Sequence, residues 1–321
     1  MLDILIIGAG PIGLACGLAA KKAGFTFEIV EKGCLVNSLY NYPSTITFFS
    51  TSERLEIGGV PFVSVNKQPN RNEALEYYRR VALDNKLPIH LFEEVLAVTA
   101  IDGGYLITSS KQTYEAKKII LSTGFYDVAV NLDIPGEDLP KVKHYYKDPH
   151  FYAMQDVIVV GSSNSAIDVA LETFRKGANV SLIVRGNEIS QRVKYWVRPD
   201  ILNRIKEGSI KAYFNSNLKE IREKEADIDT PEGVVTIPND FVMAMTGYKP
   251  NFEFLAKLGI NLTADKFIPQ YNPETMETNV PGLYLAGVVV GGLDTHLWFI
   301  ENSRIHAEMI IEDIVAKSVS K

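Results

Sequence analysis

One pattern occurs twice in this sequence of 321 residues, and it limits the fold more than any other feature. The first copy begins at Leu2 and reads LDILIIGAGPIGLACGLAAKKAGFTFEIVEK, an apolar strand, a glycine-rich turn, an alanine-rich helix and a second strand. The second copy begins at Gln155 and reads QDVIVVGSSNSAIDVALETFRKGANVSLIVRG. The repeat predicts an α/β protein with two Rossmann-like dinucleotide-binding domains.

The first glycine-rich turn has the pattern G-x-G-x-x-G, formed by Gly8, Gly10 and Gly13 with Pro11 between them. We expect Gly8 to make the tight turn, Gly10 to let the backbone approach a pyrophosphate, and Gly13 to allow close packing of helix on strand. Glu31 ends the next strand, where a carboxylate accepts hydrogen bonds from ribose hydroxyls. These residues predict a dinucleotide site.

The second turn places Gly161, Ser163 and Ala166 at the three glycine positions. Arg185 ends the following strand, at the position that Glu31 has in the first copy. An arginine pairs with a 2'-phosphate, whereas the missing acid removes a partner of a free 2'-hydroxyl, so this site is predicted to prefer NADPH to NADH.

The residues predicted to hold NADPH are Gly161, Ser163, Asn164, Ser165 and Arg185. Two further basic residues follow in SQRVKYW, Arg192 and Lys194. They either add charge to the same phosphate site or belong to a solvated loop, and the sequence does not choose between these readings.

Each copy is followed by short alternating strands that end on a similar tripeptide, Ser122-Thr123-Gly124 in the first and Met245-Thr246-Gly247 in the second. The first unit resumes at TNVPGLYLAGVVVGG and is predicted to end in a helix near Phe299 to Ile314. The second domain, residues 125–247, is therefore predicted to be inserted into the first, residues 1–124 and 248–321.

Composition narrows the classes of function. There are 33 Lys and Arg residues against 39 Asp and Glu, a net charge of -6, so no basic face for nucleic acid is predicted. No apolar run has the length of a membrane span, and no residues have metal-ligand spacing. The 2 cysteines form no CxxC pair, which favours a reducing compartment and hence the cytoplasm.

These features resemble the two-domain flavoprotein reductases of the thioredoxin reductase type. A closer resemblance is to the YpdA-type bacillithiol-disulfide reductases, carried by SLYNYPSTITFFSTSERLEIGGVPF, RNEALEYYR, DLPKVKHYYKDPH, RVKYW and FIEN. The resemblance implies FAD in the first domain, NADPH in the second, a low-molecular-weight disulfide as acceptor, and a homodimer or larger assembly. It also places the following residues near the cofactors: Lys32, Thr123, Gly124, Gly247 and Gly287.

The aromatic stretch LYNYPSTITFFS has two readings. It either forms one wall of the isoalloxazine site, with Asn41 and Thr47 as polar contacts, or belongs to the core. His296 lies shortly before the last helix, whose N-terminus is expected to face the flavin pyrimidine. We treat His296 as a candidate catalytic residue, with a structural histidine as the alternative.

The chain departs from its relatives in its thiols. No cysteine follows Cys34, which excludes reduction of thioredoxin through a CxxC in the NADPH domain. YpdA-type reductases often carry a cysteine in the first glycine-rich turn, where this chain has Ile12. Cys34 and Cys16 are the candidate replacements, with a loop residue and a packing residue as the respective alternatives.

The missing turn cysteine leaves the acceptor open. One hypothesis keeps the disulfide, and a second passes electrons to a small redox protein, as in ferredoxin-NADP or flavodoxin-NADP reductases. A third, flavin monooxygenation, is disfavoured because no F-x-G-x-x-x-H signature lies near His144. From a different class comes a non-catalytic redox sensor that binds both nucleotides.

Overall fold

The computed structural model describes residues 1–319, except for the side chain of Val319. The chain divides into two compact units. The first comprises Met1–Asn41, Thr45–Val128 and the chain from Tyr248 onward, and the second comprises Tyr42–Ser44 and Ala129–Gly247. The chain thus enters the second unit after residue 128 rather than 124, and leaves it after residue 247.

Both units contain helices next to parallel strands and also runs of consecutive strands. The strands are β1 (Leu2–Ile7), β2 (Phe27–Val30), β3 (Ile89–His90), β4 (Val95–Ile101), β5 (Gly104–Ser109), β6 (Thr113–Leu121), β7 (Val128–Ala129), β8 (Val142–Lys143), β9 (Asp156–Val160), β10 (Asn179–Val184), β11 (Lys211–Phe214), β12 (Asn217–Ile221), β13 (Glu225–Thr230), β14 (Gly233–Pro238), β15 (Phe241–Ala244), β16 (Tyr248–Lys249) and β17 (Leu283–Leu285). The α-helices are α1 (Pro11–Lys22), α2 (Asn37–Tyr40), α3 (Arg71–Asp84), α4 (Asn164–Arg175), α5 (Arg198–Lys206), α6 (Phe252–Lys257), α7 (Ile300–Ser303) and α8 (His306–Val319). The runs of consecutive strands are β3 to β6 in the first unit and β11 to β15 in the second.

A seven-stranded sheet forms the first unit, in the order β3-β2-β1-β6-β5-β4 with β17 also paired to β6. Strand β6 is long enough to have two partners on one side. Its start pairs antiparallel with β5, and its end, from Ile119 to Leu121, pairs parallel with β17. Parallel strands β2, β1, β6 and β17 therefore end at the same edge of the sheet.

The central strands of this sheet are buried on both faces. Ile4, Leu5, Ile6, Ile119 and Ile120 are fully buried, although they alternate in direction along their strands. Continuous burial is typical of parallel sheets covered by helices, and it explains why the strand LDILII reads as an unbroken apolar run.

The second unit repeats the parallel core of the first, but it arranges the antiparallel strands that follow this core differently. Its five-stranded sheet has the order β11-β10-β9-β15-β8, and all four pairings are parallel. The antiparallel strands β12, β13 and β14 form a separate three-stranded sheet, whereas β4 and β5 of the first unit belong to the main sheet. Strand β15 has only 4 residues against 9 in β6, so it offers no extension for such pairing.

The predicted fold class, α/β with two Rossmann-like units and the second inserted into the first, is confirmed. One element was predicted too simply. The single helix expected near Phe299 to Ile314 is two helices, α7 and α8, which are separated at Arg304 and Ile305. The hydrogen bonds tighten there, because the Ala307 and Glu308 amides donate to carbonyls only three residues earlier.

Candidate cofactor and redox site

The glycine-rich turn of the first unit needs glycine at two positions for reasons of packing. Gly8 has φ +108°, and a Cβ there would lie 2.6 Å from the carbonyl oxygen of Ser122. A Cβ on Gly13 would lie 1.9 Å from the carbonyl oxygen of Gly8. Around Gly10, by contrast, a Cβ would meet no described protein atom within 4 Å. The protein itself does not require glycine at that position, so the space beside Gly10 suits an approaching ligand.

Glu31 lies against this turn with both carboxylate oxygens engaged. The Ala9 amide donates to Oε2 and the Gly33 amide donates to Oε1, each at 2.8 Å. The side chain is buried, and burial raises the pKa of this carboxyl above its ordinary value despite these two hydrogen bonds. Each oxygen keeps a further acceptor site, so the carboxylate can still receive ribose hydroxyls.

The segment after Glu31 is tied to the same turn. The Val36 amide donates to the carbonyl oxygen of Ala9 at 3.1 Å. The Lys32 ammonium pairs with the Asp127 carboxylate at 2.8 Å. Asn41 donates its side-chain amide to the carbonyl oxygen of Asn37 at 2.9 Å. Lys32 and Asn41 therefore already have partners in the protein.

The aromatic stretch 39–50 does not behave as core. Tyr40 and Phe49 are 50% and 61% exposed. Thr47 is exposed as well and forms an isolated antiparallel bridge with Asn70. Exposed rings do not support the core reading, and the predicted flavin contacts of Asn41 and Thr47 stay predictions.

Residues at the carboxyl edge of the sheet surround the turn. The Ser122 hydroxyl donates to the carbonyl oxygens of Ile7 and Gly8 at 3.1 and 3.0 Å, which fixes the peptide leading to Thr123. Gly124 has φ +72° with open space where a Cβ would be. In the second unit Gly247 repeats this arrangement, with φ +102° and the same open space.

Gly287 completes this edge, two residues after the end of β17. A Cβ on Gly287 would lie 3.3 Å from Cγ1 of Ile12, so the residue that replaces the expected turn cysteine packs beside Gly287. The Gly287 amide donates to Nδ1 of His306 at 3.1 Å. His306 is almost fully buried, and burial lowers its pKa to about 4. The imidazole is therefore neutral near neutral pH, with Nδ1 as acceptor.

Sequence reasoning singled out His296 and missed His306. His296 is exposed, whereas His306 begins α8 and contacts a residue of the predicted site. The sequence showed only that His306 lies within the predicted last helix, because its hydrogen bond to Gly287 joins residues 19 apart and is set by tertiary packing.

Neither cysteine has the environment of a reactive thiol. Cys16 is fully buried on α1, and burial raises its pKa to about 12. Cys34 is partly exposed and donates to Oδ1 of Asn37 at 3.5 Å. Burial and the nearby Glu31 carboxylate raise the pKa of Cys34 as well. A thiol with a raised pKa stays protonated and is a poor nucleophile at neutral pH.

The second glycine-rich turn has the same geometry as the first. Gly161 has φ +135°, and a Cβ there would lie 2.7 Å from the carbonyl oxygen of Met245. Ser163 precedes α4 as its N-cap, but its side chain makes no capping hydrogen bond. Ser163 and Ser165 are exposed, so their hydroxyls and the first amides of α4 are accessible to an anion.

The three basic residues near this turn have different surroundings. Arg185 directly follows β10 and is exposed, and Arg192 is exposed in the next loop. Lys194 is paired with Asp168, with 2.9 Å between Nζ and Oδ2. Among residues 1–319 no group of three or more His, Cys, Asp or Glu side chains could hold a metal ion. Within the same range no helix is long and apolar enough to cross a membrane.

Two dinucleotide-fold units with glycine-rich turns at the carboxyl edges of their parallel sheets define an oxidoreductase of the flavoprotein class. The family described as pyridine nucleotide-disulphide oxidoreductase matches residues 5–287. The chain belongs to this family.

Similar proteins match this sequence over nearly its whole length. Bacilliredoxin reductase Bdr of Bacillus subtilis is 42% identical over 315 residues, 98% of this chain and 97% of the relative. The structure of bacillithiol disulfide reductase Bdr (YpdA) from Staphylococcus aureus matches with a TM-score of 0.95 and 42% identity over 98% of both chains. A thioredoxin reductase from T. acidophilum, with a TM-score of 0.78, 20% identity and 99% of both chains covered, shares the fold alone. The predicted resemblance is confirmed.

Proposed function

We propose that this chain is an NADPH-dependent, FAD-containing reductase of a low-molecular-weight disulfide such as bacillithiol disulfide. The assignment of FAD to the first unit and NADPH to the second rests on the contrast at equivalent positions, Glu31 in the first unit and Arg185 in the second. The acceptor is supported by the relatives, whose names refer to bacillithiol disulfide and bacilliredoxin.

The first turn fits the adenosine and pyrophosphate of FAD. The open space at Gly10 lets a pyrophosphate reach the backbone, and helix α1 begins at Pro11 without a side-chain cap on its amides. Glu31 would receive the ribose hydroxyls. The predicted FAD residues are Gly8, Gly10, Pro11, Gly13, Glu31, Lys32, Asn41, Thr47, Thr123, Gly124 and Gly287.

The second turn fits NADPH. The exposed hydroxyl of Ser163 and the first amides of α4 would bind the pyrophosphate. The exposed Arg185 would bind the 2'-phosphate, a group that NADH lacks. The residues predicted from the sequence to hold NADPH are Gly161, Ser163, Asn164, Ser165, Arg185, Arg192, Lys194 and Gly247. Of these, Asn164 and Lys194 are engaged with other groups of the protein, so their contribution to the site is proposed to be indirect.

Bound FAD supplies the hydride-accepting and two-electron chemistry. The overall reaction converts NADPH, a proton and one disulfide into NADP⁺ and two thiols. The protein's part is to bind and orient. His306 stays neutral and holds the Gly287 peptide, and Glu31 holds the first turn closed on Ala9 and Gly33.

The disulfide is proposed to be reduced without a thiol of the enzyme as intermediate. Ile12 replaces the turn cysteine, Cys16 is buried, and the pKa of Cys34 is raised. This arrangement also supports the second candidate, electron transfer to a small redox protein as in ferredoxin-NADP or flavodoxin-NADP reductases, because such transfer needs no thiol.

Anaerobic stopped-flow absorbance separates these candidates. The purified flavoprotein is reduced with NADPH and then mixed with bacillithiol disulfide, glutathione disulfide or ferredoxin. Rapid reoxidation of the flavin by bacillithiol disulfide is expected. Reoxidation by ferredoxin alone would select the second candidate, and a flavin that NADPH does not reduce would indicate the non-catalytic sensor.

Two further parts of the proposal concern the whole molecule. A homodimer or larger assembly is supported by the resemblance, and sedimentation velocity of the purified protein tests it. A cytoplasmic location is supported by the use of only 2 cysteines without a CxxC pair. Cell fractionation tests the location.

A further inference from the structure

Asn164, the first residue of α4, uses both ends of its side-chain amide to hold one loop. Its Nδ2 donates to the carbonyl oxygen of Arg192 at 3.1 Å. Its Oδ1 accepts from the Lys194 amide at 2.9 Å. We name residues 189–194 the basic loop. The amide of Asn164 thus bridges two backbone groups on either side of Val193, which is itself buried.

The second glycine-rich turn lies between the end of β10 and the basic loop. The Gly161 amide donates to the carbonyl oxygen of Ile183 at 3.0 Å. On the other side, the Ser190 amide donates to the carbonyl oxygen of Ser162 at 3.1 Å. Arg185 follows Ile183 closely and Arg192 follows Ser190 closely, so the two arginines flank the same turn.

The three basic side chains near this turn differ in burial and in ion pairing. Lys194 is mostly buried, with a side chain 12% exposed, and its charge is neutralised by Asp168. Asp168 lies one helical turn after Asn164 on α4, so this ion pair attaches the basic loop to the helix a second time. Arg185 and Arg192 are exposed and form no ion pair within residues 1–319.

We propose that Asn164 is a positioning residue for nucleotide specificity, and not a ligand of the nucleotide. It holds the basic loop so that Arg192 joins Arg185 at the 2'-phosphate, while Lys194 serves as an attachment of the loop. The inference rests on the proposed binding of NADPH by the second unit. A loop that is already ordered loses less conformational entropy when its arginine binds a phosphate. The two hydrogen bonds of Asn164 to the basic loop therefore strengthen binding.

Asn164→Ala tests this role through the difference between two ligands. We expect NADP⁺ to bind roughly tenfold more weakly, because the charge-assisted hydrogen bond between Arg192 and the 2'-phosphate is weakened when the basic loop is no longer held. The affinity for NAD⁺, which lacks this phosphate, should change by less than about twofold. Isothermal titration calorimetry of the FAD-loaded protein measures both affinities. Asn179→Ala is the matched control, because Asn179 bonds Asp156 at the opposite end of β10. This control should alter neither affinity.

A double-mutant cycle with Arg192→Ala separates positioning from direct contact. If Asn164 acts through Arg192, then Asn164→Ala should have almost no further effect on NADP⁺ affinity in the Arg192→Ala background. Additive losses would overturn the inference, as would an equal weakening of NADP⁺ and NAD⁺ by Asn164→Ala. Thermal unfolding of each variant identifies any that fail to fold.

The wild-type protein distinguishes failure of this inference from failure of the proposed function. A wild type that binds NADP⁺ and NAD⁺ equally would overturn the NADPH assignment and the inference with it. A wild type that prefers NADP⁺, combined with an Asn164→Ala variant that keeps the preference, would overturn the inference alone.

Discussion

Glu31 and Ala9 are joined across the first glycine-rich turn by a hydrogen bond in which the Ala9 amide donates to Oε2 of the carboxylate at 2.8 Å. The same carboxylate receives the Gly33 amide on its other oxygen. Glu31 therefore has a structural task within the protein in addition to its proposed task as a ribose acceptor. Any test of the second task has to account for the first.

Glu31→Gln should weaken both tasks, because the amide nitrogen of glutamine cannot accept from Ala9 or Gly33. One buried backbone amide then lacks an acceptor, which costs about 1 to 3 kcal/mol of folding free energy. FAD content after purification should fall as well. Thermal unfolding with and without added FAD measures the two effects. An unchanged FAD affinity with lowered stability would restrict Glu31 to its structural task.

Gly10→Ala and Gly13→Ala should fail in different ways. A Cβ on Gly13 would lie 1.9 Å from the Gly8 oxygen, so this variant should be unstable or insoluble. A Cβ on Gly10 meets no described protein atom, and the backbone there has φ -72°, which alanine adopts without strain. Gly10→Ala should therefore unfold at the wild-type temperature but bind FAD at least about tenfold more weakly. Normal FAD binding by Gly10→Ala would contradict the pyrophosphate assignment.

Arg185→Glu should weaken NADPH binding far more than NADH binding, by roughly a hundredfold for NADPH, because a phosphate contact is replaced by like-charge repulsion. Initial rates of flavin reduction over a range of both nucleotides measure the change. Lys176→Glu, an equal change of charge at the far end of α4, is the control and should have little effect. Equal losses for NADPH and NADH would disprove the 2'-phosphate assignment.

His306 predicts a dependence of stability on pH. Its pKa is about 4 in the folded protein against 6.5 for an ordinary histidine, so the unfolded chain binds the proton more readily. The free energy of unfolding should therefore fall as pH drops from about 6.5 towards 4. His306→Asn, which can still accept from Gly287, should flatten this part of the profile.

His306→Phe should lower the free energy of unfolding by about 2 kcal/mol at pH 7, because the Gly287 amide loses its acceptor. Thermal unfolding from pH 4.5 to 8 checks both.

Cys34→Ser should leave disulfide reduction within about twofold of the wild type, because a thiol with a raised pKa contributes little thiolate near pH 7. Steady-state oxidation of NADPH with bacillithiol disulfide measures turnover. Cys16→Ala serves as the comparison for losing a thiol that is inaccessible to substrate. A fall of more than tenfold in Cys34→Ser alone would return Cys34 to the mechanism.

Local sequence predicted the parts of the site that depend on chain neighbours. The glycine-rich turns at Gly8 and Gly161, the strands that end just before Glu31 and Arg185, and the matching tripeptides after β6 and β15 all follow from short patterns with fixed spacing. Spacing is informative there because a strand, a turn and a helix place their ends at positions that the chain geometry dictates.

The sequence by itself determined the class of fold, the insertion of one unit into the other and the opposite charges at the two ribose positions. Only the tertiary structure decided that His306 holds Gly287, that Asn164 bridges Arg192 and Lys194, and that Glu31 helps to keep the Cys34 thiol protonated. The first set depends on periodicity and propensity, which act between near neighbours. The second depends on burial and hydrogen bonds between loops, whose partners are fixed only when the helices and sheets have packed.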